Sequence, residues 1–216
     1  MHELIEALAR AGFDVVHSFD AARAALTPGL AALAPVGDRR LGVLVGNTRA
    51  LWPIFSAARA ADPALAGDPD PLDRYTERVI DQVVGHALGA APSGTIFYGH
   101  RRYAGAFLPL QHLAAATGLA ALAANHLVIH PIFGPWFALR AAVLLPGDPP
   151  PAAPPIAQPC QCTAACPAAL AHAHAAMTLP AWLAVRDACT LRAHRYSDDQ
   201  IAFHYHRPHL LRALEP

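Results

Sequence analysis

The stretch VIHPIFGPWFALR, Val128 to Arg140, decides how this chain is read. With its flanks it becomes HLVIHPIFGPWFALRAAVLL, an apolar run, a Gly/Pro turn at PIFGP and a second apolar run. Two such runs joined by a few turn residues predict a β-hairpin. A hairpin set among amphipathic helices predicts an α+β layered fold, with an antiparallel or mixed sheet and flanking helices. The stretch also holds His130, Phe133, Trp136 and Phe137, a mixture that a plain core strand does not need.

Outward from there, the periodicities are ordinary. A helix is predicted from Glu3 to Arg10, with Leu4, Ile5, Leu8 and Ala9 on one face, and Gly12 follows at a C′-like position. FDVVHSF alternates like a strand, and Ala21 to Leu33 reads as a helix or an irregular loop. LGVLVGNT, from Leu41, is a buried strand with Asn47 or Thr48 capping the helix RALWPIFSAARA, Pro53 lying in its first turn. DPALAGDPDP is a loop. LDRYTERVIDQVVGHALG is a helix with Leu72, Tyr75, Val79, Ile80, Val83 and Leu88 as its stripe and Gly89 as its stop. SGTIFYGH is a strand, and FLPLQHLAAATGLAALA a helix interrupted at Gly118. Pro146 to Pro159 is a proline-rich extended linker. The expected organisation is a core over 1–147. Residues 148–216 hold the linker, a cysteine segment and a C-terminal helical cap, the whole acting as one unit.

Composition bounds the function. A chain of 216 residues with zero formal charge lacks the basic footprint of a nucleic-acid binder. MHELIEALARAGFDVV carries glutamates where a secretory signal would be apolar. The apolar region from Leu113 to Pro146 is broken by Asn125, His126, His130, two prolines and Arg140, so no membrane span is expected. Four cysteines do not form a secreted framework. A cytoplasmic protein, monomer or homodimer, is the expectation. G-x-G-x-x-G, P-loop, H-E-x-x-H and G-x-S-x-G motifs are missing from the sequence.

Three groups of residues suggest chemistry. Phe133, Trp136 and Phe137 straddle the turn and can wall a cleft for a large conjugated ring, a flavin or a corrin, with His130 as polar anchor or metal neighbour. Equally, they can be ordinary core. Cys160, Cys162 and Cys166 precede His172 and His174; the C-x₃-C-P piece resembles the end of a ferredoxin run but lacks two positions. Three cysteines and a histidine could hold zinc, in a spacing that is not a standard knuckle. They could also be a dithiol or incidental thiols. In the tail, Arg186, Arg192, Arg195 and Arg207 could fix carboxylates or phosphates, or could be a solvated face. Ser197 and Gln200 have the spacing of a capping box.

The run His130, Pro131, Phe133, Gly134, Trp136, Phe137, Ala138, Arg140 and Val143 to Gly147 resembles the CblC-type cobalamin-processing proteins, cyanocobalamin reductases and alkylcobalamin dealkylases. GFDVVHSF, DPDPLDRY and RDACT with RYSDDQIAF are collinear further matches. AAATGLAAL and CTAACP also resemble the corrin-binding epoxyqueuosine reductases, without their full cysteine set. The resemblance implies a flavin nitroreductase-like fold that holds cobalamin base-off. Its upper cyanide would be removed by reduced flavin, FMN or FAD, or its alkyl group by a glutathione-type thiolate. It implies cofactor-binding roles for His130, Pro131, Phe133, Gly134, Trp136, Phe137, Tyr196 and Ser197, and thiol binding by Arg186 and Arg212. Pro135 stands where the family often has glycine, and the family's arginine after the linker has no counterpart, the cysteine segment taking its place. Cys160 and Cys162 could therefore replace an external thiol. A cobalamin carrier without catalysis, or a flavin reductase without corrin, are the alternatives; iron–sulfur or zinc would require the cysteines at 160, 162 and 166.

Overall fold

The structure is a computed structural model that describes residues 1–88, 96–123, 125–154, 156 and 165–205. In chain order its elements begin with helix α1 (His2–Arg10), strand β1 (Val15–Asp20) and helix α2 (Ala21–Ala24). After a 3-10 turn (Ala31–Leu33) come β2 (Leu41–Asn47), α3 (Leu51–Ala61), α4 (Pro63–Ala66) and α5 (Pro71–Leu88). Then follow β3 (Ile96–Tyr98), β4 (Arg102–Tyr103), β5 (Ala106–Phe107), α6 (Leu110–Ala116), β6 (Ala121–Leu122), β7 (Val128–Ile129) and β8 (Ala138–Leu145). Helices α7 (Ala165–Ala176), α8 (Leu179–Asp187) and α9 (Asp198–Tyr205) complete the set.

One four-stranded sheet organises the chain, in the order β1-β2-β8-β3, antiparallel throughout. The two central strands are its most apolar. Alternation sends Leu44 of β2 with Ala142 and Leu144 of β8 to one face, where α6 contributes Leu110, Leu113 and Ala114. Val43, Val45, Ala141, Val143 and Leu145 go to the other face, against Leu4 and Leu8 of α1, Leu51 and Phe55 of α3, and Leu72, Tyr75, Ile80 and Val84 of α5. Helices therefore cover both faces, and the layered α+β fold expected from the sequence is the one observed. Gly46 permits the bulge between β2 and β8, since a Cβ there would lie 2.4 Å from the Ala138 carbonyl oxygen.

Four expectations are corrected. Within DPALAGDPDP, expected as a loop, Pro63–Ala66 form the helix α4, its N-terminus capped by Asp62, which accepts from the N–H groups of Ala64 and Leu65. The hairpin across Val128–Leu145 does not form: β7 pairs with β6, and β8 lies between β2 and β3. Both hydrogen-bonding edges of β8 are filled by those neighbours, which leaves none for β7. The turn closes on itself instead, through His130 N–H to the Gly134 carbonyl (3.0 Å) and Gly134 N–H to the His130 carbonyl (2.9 Å). Likewise the helix expected through Ala123 stops at Ala116. Gly118 takes φ +79°, and the alanine-rich residues beyond it become β6. In α1 only Leu4 and Leu8 are buried, while Ile5 and Ala9 face solvent, because the helix meets its neighbours along a narrow seam. The expected stop at Gly89 lies outside the described residues. After β8, Pro151 to Ala153 run past β1 and the end of α6, and the three last helices follow.

Candidate functional site

The loop between β7 and β8 is held from inside. His130 Nδ1 accepts from the N–H groups of Ile132 (3.1 Å) and Phe133 (3.3 Å), which puts the proton of the neutral ring on Nε2. The ring stacks on Phe133 with centroids 4.4 Å apart and meets Phe137 edge-on at 5.6 Å. Burial, then the nearby His17 and His194, pushes its pKa down to about 4. Gly134 has φ +59°, and a Cβ there would fall 1.9 Å from the Leu191 carbonyl oxygen, so the α8–α9 connection lies directly on the loop.

Trp136 is fully buried, in a small cluster with Tyr196 and Ile201. The Arg186 guanidinium lies 4.3 Å above its ring, and Tyr196 meets it edge-on at 5.5 Å. Arg186 also donates to the Pro135 carbonyl and the Tyr205 hydroxyl. These partners are neutral; Arg186 pairs with no carboxylate among the described residues. Burial pushes the Tyr196 phenol up to about 12.

In front of this wall opens a cleft of about 750 Å³. Leu108, Leu110, Leu122, Val128, Phe137 and Leu139 give it apolar sides; His100, Gln111, His112, His126, Arg140 and Arg186 supply polar positions. Arg140 is aimed by a chain of buried and partly buried bonds. Its Nε donates to Asn47 Oδ1 (2.7 Å), Asn47 Nδ2 to the Thr48 carbonyl (2.8 Å), and Thr48 binds Asp14 through N–H (2.7 Å) and hydroxyl (2.5 Å). That hydroxyl also accepts from Ala50 N–H, so Thr48 serves the entry to α3 without being its N-cap. Also lining the cleft, His100 bonds Glu77 (2.8 Å), which receives Arg101 as well (2.6 Å). Burial alone would raise the Glu77 carboxyl, but the bonds from Arg101 and His100 outweigh it and hold it below the usual range. Behind Arg186 lies a second, smaller cavity of about 220 Å³, lined by Trp182, Leu183 and Tyr205 and sharing Arg186, His126 and Leu127 with the cleft.

Of the residues singled out in sequence, Phe137, Arg186 and the neighbouring Pro135 and Arg140 line the cleft. His130, Phe133, Gly134, Trp136 and Tyr196 build the wall behind it, Pro131 lies exposed at the loop tip, and exposed Ser197 caps α9. Cys166 packs near Ala173, Ala181 and Val185, its Sγ 3.8 Å from Asn125 Nδ2. Cys160, Cys162 and Arg212 lie outside the described residues, and among the described residues no group of three or more His, Cys, Asp or Glu has a geometry that could hold a metal ion. The sequence reading missed Asp73, His100, Gln111 and His112, which the start of α5, the end of β3 and α6 bring to the cleft from a distance in the chain. Only the histidine closing the strand FYGH offered a local signal.

Fold and cleft together define a class: an antiparallel sheet clad by helices on both faces, with an open, half-apolar cleft where its central strand β8 begins. The crystal structure of a B12-trafficking protein CblC from C. elegans, a human MMACHC homologue, has this fold. It superposes with a TM-score of 0.67 at 16% identity, over 99% of this chain and 94% of that one. No protein-family model matches the sequence, and no curated protein matches it. No described helix is long and apolar enough to cross a membrane.

Proposed function

We propose that this chain binds cobalamin base-off in the cleft and removes its upper axial ligand, by reductive decyanation, thiol-dependent dealkylation or both. One observation carries the reading. The run resembling the CblC-type proteins is the loop and strand start that wall the cleft, in a chain that shares its fold with a CblC protein over nearly its whole length.

Cobalamin is the substrate here. Its corrin is flat, with apolar faces and a fringe of amides. Leu122, Val128, Phe137 and Leu139 suit the faces, while Gln111, His112, His126 and Arg140 suit the fringe. A cleft of about 750 Å³ is in the range of built ligand sites. In decyanation a reduced flavin, FMN or FAD, would supply electrons to cobalt, and cyanide would leave with its bonding pair. In dealkylation a thiolate would form a C–S bond to the alkyl carbon and leave the pair on cobalt. The protein's part is to hold the ring, exclude water and place the co-substrate. Arg186, half-buried without a carboxylate partner among the described residues between the cleft and the smaller cavity, suits the carboxylate of a glutathione-type thiol. We place the reaction in the cytoplasm, where such thiols are abundant.

The test is turnover. Under anaerobic conditions, methylcobalamin with glutathione, and cyanocobalamin with reduced FMN, should be converted at least tenfold faster with the protein than without it. Binding without any acceleration would make the chain a carrier.

A further inference from the structure

Three described residues line both the cleft and the smaller cavity behind it: His126, Leu127 and Arg186. Two of them carry polar side chains, so His126 and Arg186 mark the junction of the two spaces. His126 sits in the turn between β6 and β7 at φ +61°, one of three described residues other than glycine with positive φ. Glycine would take that conformation at no steric cost. The turn holds the histidine there from both sides. Its N–H donates to the Ala123 carbonyl (3.0 Å), and the Leu127 N–H donates to Oδ1 of the buried Asn125 (3.1 Å). A residue other than glycine held in this conformation, and lining two cavities, is worth testing for function.

The ring of His126 is uncommitted: it makes no hydrogen bond, ion pair or ring contact among the described residues. The other histidines of the cleft differ. His100 has Nε2 on Glu77 at 2.8 Å and Nδ1 3.7 Å from Asp73. His112 lies on α6 and does not line the smaller cavity. Imidazole is the side chain that takes up and releases a proton near neutral pH. His126 is also exposed, so a proton gained there can pass on to water.

We propose that His126 is the proton acceptor for the thiol co-substrate, taking the S–H proton while Arg186 holds the thiol's carboxylate. The inference rests on the cobalamin reading and deepens its dealkylation step. An ordinary thiol has a pKa of about 8.5, so only about 1% of it is thiolate at pH 6.5. A placed base removes that handicap. For methylcobalamin the step balances. The S–H proton moves to an imidazole nitrogen of His126 and then to water. The sulfur pair forms the bond to the methyl carbon. The cobalt–carbon bond breaks with its pair on cobalt, leaving a methyl thioether and cob(I)alamin. No further oxidant or reductant is required.

The experiment follows anaerobic dealkylation of methylcobalamin by glutathione from about pH 6 to about pH 9.5, read as kcat/KM for the thiol at saturating methylcobalamin. The full-length chain is compared with His126→Asn, which tolerates positive φ but cannot take the proton. The variant should follow the thiolate fraction, falling about tenfold per pH unit below the pKa of the thiol. At pH 6.5 it should lie about tenfold or more below the unaltered chain. The gap should narrow towards pH 9.5, where the thiol ionises unaided. His126→Gly, which relieves the positive φ, should give the same profile, so a folding defect in the first variant is not mistaken for the effect. A gap of equal size at every pH overturns the proposal and leaves His126 a part of the turn alone, and the absence of any gap overturns it too. An unaltered chain that shifts the methylcobalamin spectrum but gives no thiol-dependent dealkylation at any pH removes the dealkylation reading itself, and this proposal with it.

Discussion

Replacing Gly134 by alanine should loosen the wall behind the cleft, and the size of the effect follows from two separable costs. The first is conformational: Gly134 has φ +59°, and an L-residue held there costs about 1–2 kcal/mol. The second is steric. The new Cβ would lie 1.9 Å from the Leu191 carbonyl oxygen and 2.8 Å from its Cβ, and the first of these is backbone that cannot swing aside. Overpacking of that kind costs about 1–3 kcal/mol. The sum is about 2–5 kcal/mol, or a fall in melting temperature of roughly 5–15 °C for a chain of this size. Gly37 provides the control. It has φ +65° with nothing within 4 Å of an added Cβ, so Gly37→Ala carries the conformational cost alone. Thermal unfolding by circular dichroism of both variants separates the two costs. Gly134→Ala should melt well below Gly37→Ala. Because Pro135 follows Gly134 and accepts from Arg186, it should also weaken cobalamin binding. Equal melting temperatures would refute the close packing of the α8–α9 connection on this loop.

Further expectations follow from the same wall. His130 is held neutral, with its pKa near 4 against an ordinary 6.5, so the unfolded chain takes up its proton first as pH falls. Its contribution is intact above about pH 6.5 and is lost between there and about pH 4; the full shift would be about 3 kcal/mol, discounted to about 1–2 because the ring is only half-buried. Urea unfolding should therefore show a steeper loss between pH 7 and pH 5 than in His130→Asn, which keeps an acceptor for the turn but does not titrate; parallel losses would contradict this. Arg186→Met should raise the KM for a carboxylate-bearing thiol about tenfold or more while methylcobalamin still binds. An unchanged KM would mean that Arg186 serves only the packing of Trp136. Cys160→Ala with Cys162→Ala should abolish any dealkylation that proceeds without added thiol, and unchanged dealkylation in its absence would remove these cysteines from the chemistry.

Legibility in the sequence tracked the range of the interaction. Strand β2 was readable because a central strand is apolar on both faces, and α5 because its stripe repeats at the helical period. The partner of Val128–Ile129 was not readable. Which strand fills the edges of β8 is settled by β2 and β3, about a hundred and about forty residues upstream. Gly118 carried its true meaning locally, as a positive-φ stop, but the alanines after it have high helix propensity, and tertiary pairing overrode them. The aromatic run was visible as a wall. Which side of it faces the cleft was not, because that depends on Arg186 and Tyr196 closing over Trp136 from the far end of the chain. The Asn47–Arg140 bond, which aims a cleft arginine, spans 93 positions and leaves no local pattern.

The most direct test of the central claim is an absorbance titration of methylcobalamin and cyanocobalamin with the purified protein. A move of the main visible band to shorter wavelength at micromolar protein, saturating at one cobalamin per chain and weakened by Phe137→Ala, is the predicted result. A spectrum unchanged for both cobalamins at saturating protein would contradict a base-off corrin site in this cleft.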